Sequence, residues 1–120
     1  MTKVEVITFD FEPYFNHLVE DFKNWWSANG TKELTEYQKQ SIQEYAAGLT
    51  IEEGSKYIKV VTKRGDNSAS VHSFVVKKAD KKFAVGTILK AAGWSAPAKN
   101  FGRGNLFTGD FKNVKWTGAQ

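Results

Sequence analysis

Glu52-Glu53-Gly54-Ser55-Lys56-Tyr57-Ile58-Lys59-Val60-Val61-Thr62-Lys63 is where the pattern of this chain changes. Before Gly54 the apolar residues recur at helical spacing. After it they alternate with period two, the mark of a strand with two unlike faces. Lys56 to Lys63 reads as that strand. Tyr57, Lys59, Val61 and Lys63 share one face, and Ile58, Val60 and Thr62 share the other. Gly48 and Glu52-Glu53-Gly54 read as the end of the preceding helix.

Working back from this point, Thr35-Glu36-Tyr37-Gln38 is a capping-box pattern, in which Gln38 reaches back to the cap. The second helix starts at Thr31 or at this Thr35 box, and its apolar side is Leu34, Tyr37, Ile42, Tyr45, Ala46 and Leu49. An earlier helix follows Asp10-Phe11-Glu12-Pro13, because proline is tolerated in a first turn and acids favour the positive end of the dipole. Phe15, Leu18, Val19, Phe22, Trp25 and Trp26 form its buried stripe, and Asn29-Gly30 stops it. Lys3 to Phe9 is rich in β-branched residues and reads as a short strand.

Working forward, Arg64-Gly65-Asp66-Asn67-Ser68 is turn chemistry, and Ser70 to Lys77 is a further strand. Lys78 to Lys81 makes the next turn, and Lys82 to Val85 resumes extended structure. Gly86 to Ala92 fits a strand or a short helix equally. Gly93 to Gly109 reads as a long ordered loop, of a kind that is usually functional or mobile. Phe111 to Thr117 reads as the last strand. The expectation is one α+β domain over 1–120, an N-terminal helical hairpin packed on a small, antiparallel, curved β-sheet.

Charge divides at the same place. The net charge of the 120 residues is +4. Residues 1–54 carry four lysines against ten carboxylates, a net of −6, while residues 55–120 carry thirteen Lys and Arg against three Asp, a net of +10. An acidic, mainly helical half is thus joined to a basic half of strands and loop, and that asymmetry points to a polyanionic partner.

Composition narrows the chemistry. With no cysteine there are no disulfides, thiolate metal sites or cysteine nucleophiles. Two histidines far apart do not supply a multi-histidine metal site, so neither a metal nor another cofactor is expected. No apolar run reaches the ~20 residues that span a bilayer, and no signal core opens the chain. Ser70 and His72 fall on one side of a regular strand, but no third group and no nucleophile-elbow sequence accompanies them. His72 reads as a strand histidine satisfied by its neighbours, and the chain reads as a non-enzyme.

A single-strand-binding surface combines cations that follow phosphates with rings that stack on bases. Tyr57 and Trp94 are the stacking candidates. Lys59, Lys63, Lys90, Lys99 and Arg103 are the phosphate candidates. Phe101-Gly102-Arg103-Gly104-Asn105 also has the makings of an anion-binding nest of backbone amides, although it lacks the Lys-Ser/Thr of a nucleotide-hydrolase phosphate loop.

Three segments carry a family resemblance. They are Ser70-Val71-His72-Ser73-Phe74, then Leu89-Lys90-Ala91-Ala92-Gly93-Trp94-Ser95-Ala96-Pro97-Ala98-Lys99, then Arg103-Gly104-Asn105. In this order, over residues 56–118, the chain resembles a group of small, functionally uncharacterised tailed-bacteriophage proteins. The hairpin between Val76 and Gly86 is longer here than is usual in the group. The resemblance implies a phage-encoded protein acting in the host bacterial cytoplasm, and it implies no activity. The expected function is therefore nucleic-acid binding, single-stranded DNA first, with little sequence specificity. The alternative is an inhibitor or adaptor that contacts a host protein through the acidic helices or an aromatic patch. DNA or RNA, and monomer or homodimer, stay open.

Overall fold

A computed structural model describes residues 9–28, 30–63 and 69–119. Two helices come first, α1 over Glu12–Ser27 and α2 over Glu36–Ala47. Strands β1 (Thr50–Glu53), β2 (Tyr57–Thr62), β3 (Ser70–Val76), β4 (Thr87–Lys90) and β5 (Gly104–Asn105) follow. They form one antiparallel five-stranded sheet in the order β1-β2-β3-β4-β5. A separate two-stranded ribbon pairs β6 (Val114–Lys115) with β7 (Gly118–Ala119). The α+β arrangement is the one the sequence leads to.

The helix boundaries have identifiable causes. Pro13 occupies the first turn of α1, where its missing N–H removes no helical bond. Thr35 caps α2 in a reciprocal box: its Oγ1 accepts from Gln38 N–H at 3.1 Å, while Gln38 Oε1 accepts from Thr35 N–H at 2.9 Å. The C-terminus of α1 uses the expected glycine and one residue more. Gly30 has φ 88°, and Ala28, directly after the helix, is also left-handed with φ 51°.

One core joins the helices to the sheet. Tyr14, Leu18 and Phe22 of α1 and Tyr45 of α2 pack with Ile58, Val60, Val75 and Ile88 from the inner face of the sheet. Each large apolar side chain so buried contributes about 1.5–3 kcal/mol. The outer face carries a smaller cluster of Phe74, Val76, Phe83 and Leu89, with Tyr57 and Val71 against it. The two faces of β2 are thus the two that alternation assigns.

Several expectations are corrected. Residues 50–53 are not the tail of a helix but the edge strand β1, whose four residues are all exposed. Gly48 ends α2, and Gly54 N–H donates to Tyr57 O at 2.9 Å to close the β1–β2 turn. The first 54 residues therefore do not stop at the helices. Gly86 to Ala92 resolves as a strand, β4, at its centre. Lys82 to Val85 is not a strand, and of Phe111 to Thr117 only Val114–Lys115 is. The expected strand over Lys3 to Phe9 and turn over Arg64 to Ser68 lie outside the described residues, apart from Phe9, which is not in a strand.

A β-bulge sits in the middle of the sheet. Val60 pairs with Ser73 and Val61 with Val71, so His72 is an extra residue on β3. A bulge bends its strand and re-aims side chains. Here it turns His72 toward the helices beside Ser73, where Tyr14 Oη lies 2.7 Å from Ser73 Oγ and 3.5 Å from His72 Nδ1.

Candidate nucleic-acid interface

The outer face of β2 presents Tyr57 and Lys59. Above it stands the hairpin-like excursion that follows β4. Ala92 and Gly93 N–H both donate to Ala96 O, at 3.0 and 3.1 Å, and Ala91 bridges to Pro97. Trp94 is thereby held at the tip of a tight turn and remains 49% exposed. Lys59 Nζ lies 4.4 Å from the centre of the Trp94 ring.

Lysines gather around the second ring. Lys99 Nζ lies 5.9 Å and Lys56 Nζ 5.6 Å from the centre of the Tyr57 ring. Lys82 Nζ donates to Lys99 O, which ties the β3–β4 connection to the loop. Tyr57 meets Phe74 edge-on at 6.1 Å, and its half-buried ring lines an open depression of about 310 Å³ with Glu52, Glu53, Lys56, Lys59, Phe74 and Ser95. Tyr57, Lys59, Trp94 and Lys99 thus share one surface, on the side of the sheet away from the helices. Lys56 and Lys82 were not among the candidates. Lys56 adjoins Tyr57 in the sequence, whereas Lys82 reaches this surface only through the turn that brings residue 82 beside residue 99.

Three other candidates lie elsewhere. Lys90 pairs with Ser73 and follows Ile88 by two, so alternation puts it on the helix side of the sheet. Lys63 lies beyond the far end of β2, roughly 20 Å along the strand from Tyr57, beside Glu44 and Gly48 at the end of α2. Arg103 is buried, 5% exposed. Its Nη1 donates to Asn100 Oδ1 at 2.8 Å and Phe101 O at 2.6 Å, and its guanidinium stacks 3.9 Å from the centre of the Phe101 ring. It organises the loop and leaves Phe101 as the exposed ring.

The expected nest is not formed by Phe101 to Asn105. Phe101 N–H donates to Asn100 Oδ1, Arg103 N–H to Ile88 O and Asn105 N–H to Asp110 O. Gly104 serves a different purpose, since a Cβ there would collide with the Asp110 carbonyl.

Acidic groups border the surface. β1 sets Glu52 directly across from Lys59. Glu53 pairs with Lys77 at 2.7 Å, and Lys56 pairs with Asp80 at 3.3 Å. Asp80 also accepts from the N–H groups of Phe83 and Lys82, which hold its carboxyl below the usual range. The separation of charge at Gly54 is therefore a property of the sequence that the sheet partly undoes.

The Ser–His question also has a geometric answer. His72 contacts Ser73, at 2.9 Å between Nδ1 and Oγ, and not Ser70. Ser73 and Tyr14 are fully buried and His72 is 4% exposed, so this hydroxyl faces the core. No helix among the described residues is long and apolar enough to cross a membrane.

Compared with known proteins, the sequence matches the family of unknown function DUF7717 over residues 2–120. The chain belongs to this family. No curated protein and no solved structure matches it. The DUF7717 match runs through the acidic helices and the basic half alike, whereas the resemblance to phage proteins rests on residues 56–118.

Proposed function

We propose that this is a non-enzymatic nucleic-acid-binding protein with a preference for single strands and little sequence specificity, encoded by a bacteriophage and acting in the host cytoplasm. The observation that carries the reading is the outer sheet face, where Lys59 lies against Trp94 and Lys99 against Tyr57. Rings alternate there with ammonium groups over a surface open to solvent. Stacked bases contribute about 1–3 kcal/mol each, and every base has a face to stack. The ammonium groups of Lys59, Lys99 and Lys82 would follow the phosphates, while Glu52 and Glu53 bound the path on the β1 side. The phage origin rests on the resemblance over residues 56–118. Fluorescence anisotropy with labelled single and double strands tests the reading, with affinity for single strands falling as salt rises.

A second reading, an adaptor for a host protein, draws on a different surface. Trp25 is 60% exposed on α1 and packs 5.3 Å from Trp116, beside an open depression of about 620 Å³. Aromatic residues are enriched where protein partners meet. Trp25→Ala separates the two readings, because it leaves oligonucleotide affinity unchanged under the first.

A further inference from the structure

The segment Val114-Lys115-Trp116 joins the main core through Val114 and Trp116, but its backbone is held by side chains rather than by strands of the five-stranded sheet. Among the described residues its β6 strand pairs with β7 alone, over two residues. Four of its backbone groups find side-chain partners on other elements. His17 Nε2 of α1 donates to Val114 O at 2.8 Å, and His72 Nε2 of β3 donates to Lys115 O at 2.7 Å. Trp116 N–H donates to Asp21 Oδ2 at 2.8 Å, and Tyr45 Oη of α2 donates to Trp116 O at 2.7 Å. Both histidines of the chain are spent on this one segment.

The hydrogen bonds around His72 run in one direction. Lys115 O can only accept, so Nε2 carries the ring proton and Nδ1 is an acceptor. Ser73 O–H therefore donates to His72 Nδ1, at 2.9 Å. Tyr14 O–H in turn donates to Ser73 Oγ, at 2.7 Å. A second ring proton on Nδ1 would point at a donor. The Ser73 hydroxyl would have to turn its proton away and accept from Nδ1 while still accepting from Tyr14, and the cation would sit in a buried site, at a cost above that of an ordinary hydrogen bond.

We propose that Val114–Trp116 is an acid-released strap, detaching from α1 and β3 while the five-stranded sheet stays intact. The groups facing His72 favour this direction. From α1 come Tyr14 and His17, from β6 comes the Lys115 carbonyl, and β7 brings only Gly118 and Ala119. Asp21, four residues after His17 on α1, holds Trp116, and Tyr45 is the titratable group from α2. Burial, opposed in part by the hydrogen bond to the Lys115 carbonyl and aided by the nearby His17, holds His72 below its ordinary value. With the strap released, the ring regains water and an ordinary value near ~6.5. The closed form is therefore favoured above about pH 6.5 and loses ground as the pH falls toward the closed-state value, by up to about tenfold per pH unit.

Amide hydrogen exchange on the full chain, corrected for the intrinsic pH dependence of exchange, tests this between about pH 7.5 and 5. Trp116 and Ala119 amides should lose about tenfold or more in protection, while Val60 and Val75 amides change by less than about twofold. His72→Gln should abolish the pH response of the strap. Should that variant not fold, His17→Gln serves instead, and it should keep the response because His72 remains. Flat protection at Trp116, loss of strap and sheet in step, a response that persists in His72→Gln, or one that vanishes in His17→Gln would each overturn the proposal.

Discussion

The ammonium of Lys59 lies 4.4 Å from the centre of the Trp94 ring, so a central strand and the tip of a distant turn build one surface. Under the proposed function the two residues have separable roles. Trp94→Ala removes a stacking platform and should weaken single-strand binding by about 1–3 kcal/mol with the salt slope unchanged. Lys59→Ala should reduce that slope by about 0.7, one phosphate contact. Salt titrations of the two variants check the distinction.

Tyr57 offers a control within the same surface. Its ring, and not its hydroxyl, is the stacking element. Tyr57→Phe keeps the ring, so affinity should be unchanged and stability should move by less than about 1 kcal/mol. Denaturant unfolding and anisotropy measure both.

Arg103 should behave as a structural residue. Arg103→Ala leaves Asn100 and the Phe101 carbonyl without their buried donor, and a loss of about 1.5–3 kcal/mol in unfolding free energy follows. Lysine should not restore it, because an ammonium lacks the planar fork that stacks on Phe101.

The two helix ends give predictions of opposite sign. Gly48 has no room for a Cβ against the Lys63 carbonyl, so Gly48→Ala should destabilise by more than about 1 kcal/mol. Ala28 is already in the left-handed region, so Ala28→Gly should stabilise by about 0.5–1 kcal/mol. Thermal and denaturant unfolding read both.

The legible parts of the fold are those governed by local chemistry. The Thr35–Gln38 box and the alternation of Tyr57 to Thr62 are written in adjacent residues, and both occur as read. β1 was hidden because an edge strand with all four residues exposed shows no alternation, and its two glutamates resemble a helix end. The bulge at His72 is equally silent, since it arises from pairing with β2 across the sheet. Four of the seven candidate site residues share a surface. The face on which Lys90 falls depends on the β3–β4 register, which no local pattern gives. Arg103 was misplaced because its acceptors, Asn100 and Phe101, become a cage only when the loop closes.

The most direct test is a salt titration of binding to labelled single- and double-stranded oligonucleotides. Contacts from Lys59, Lys82 and Lys99 predict a slope of roughly −2 for single strands, about 0.7 per contact, with weaker binding to duplex. Absent binding, or binding that salt does not change, would contradict the account.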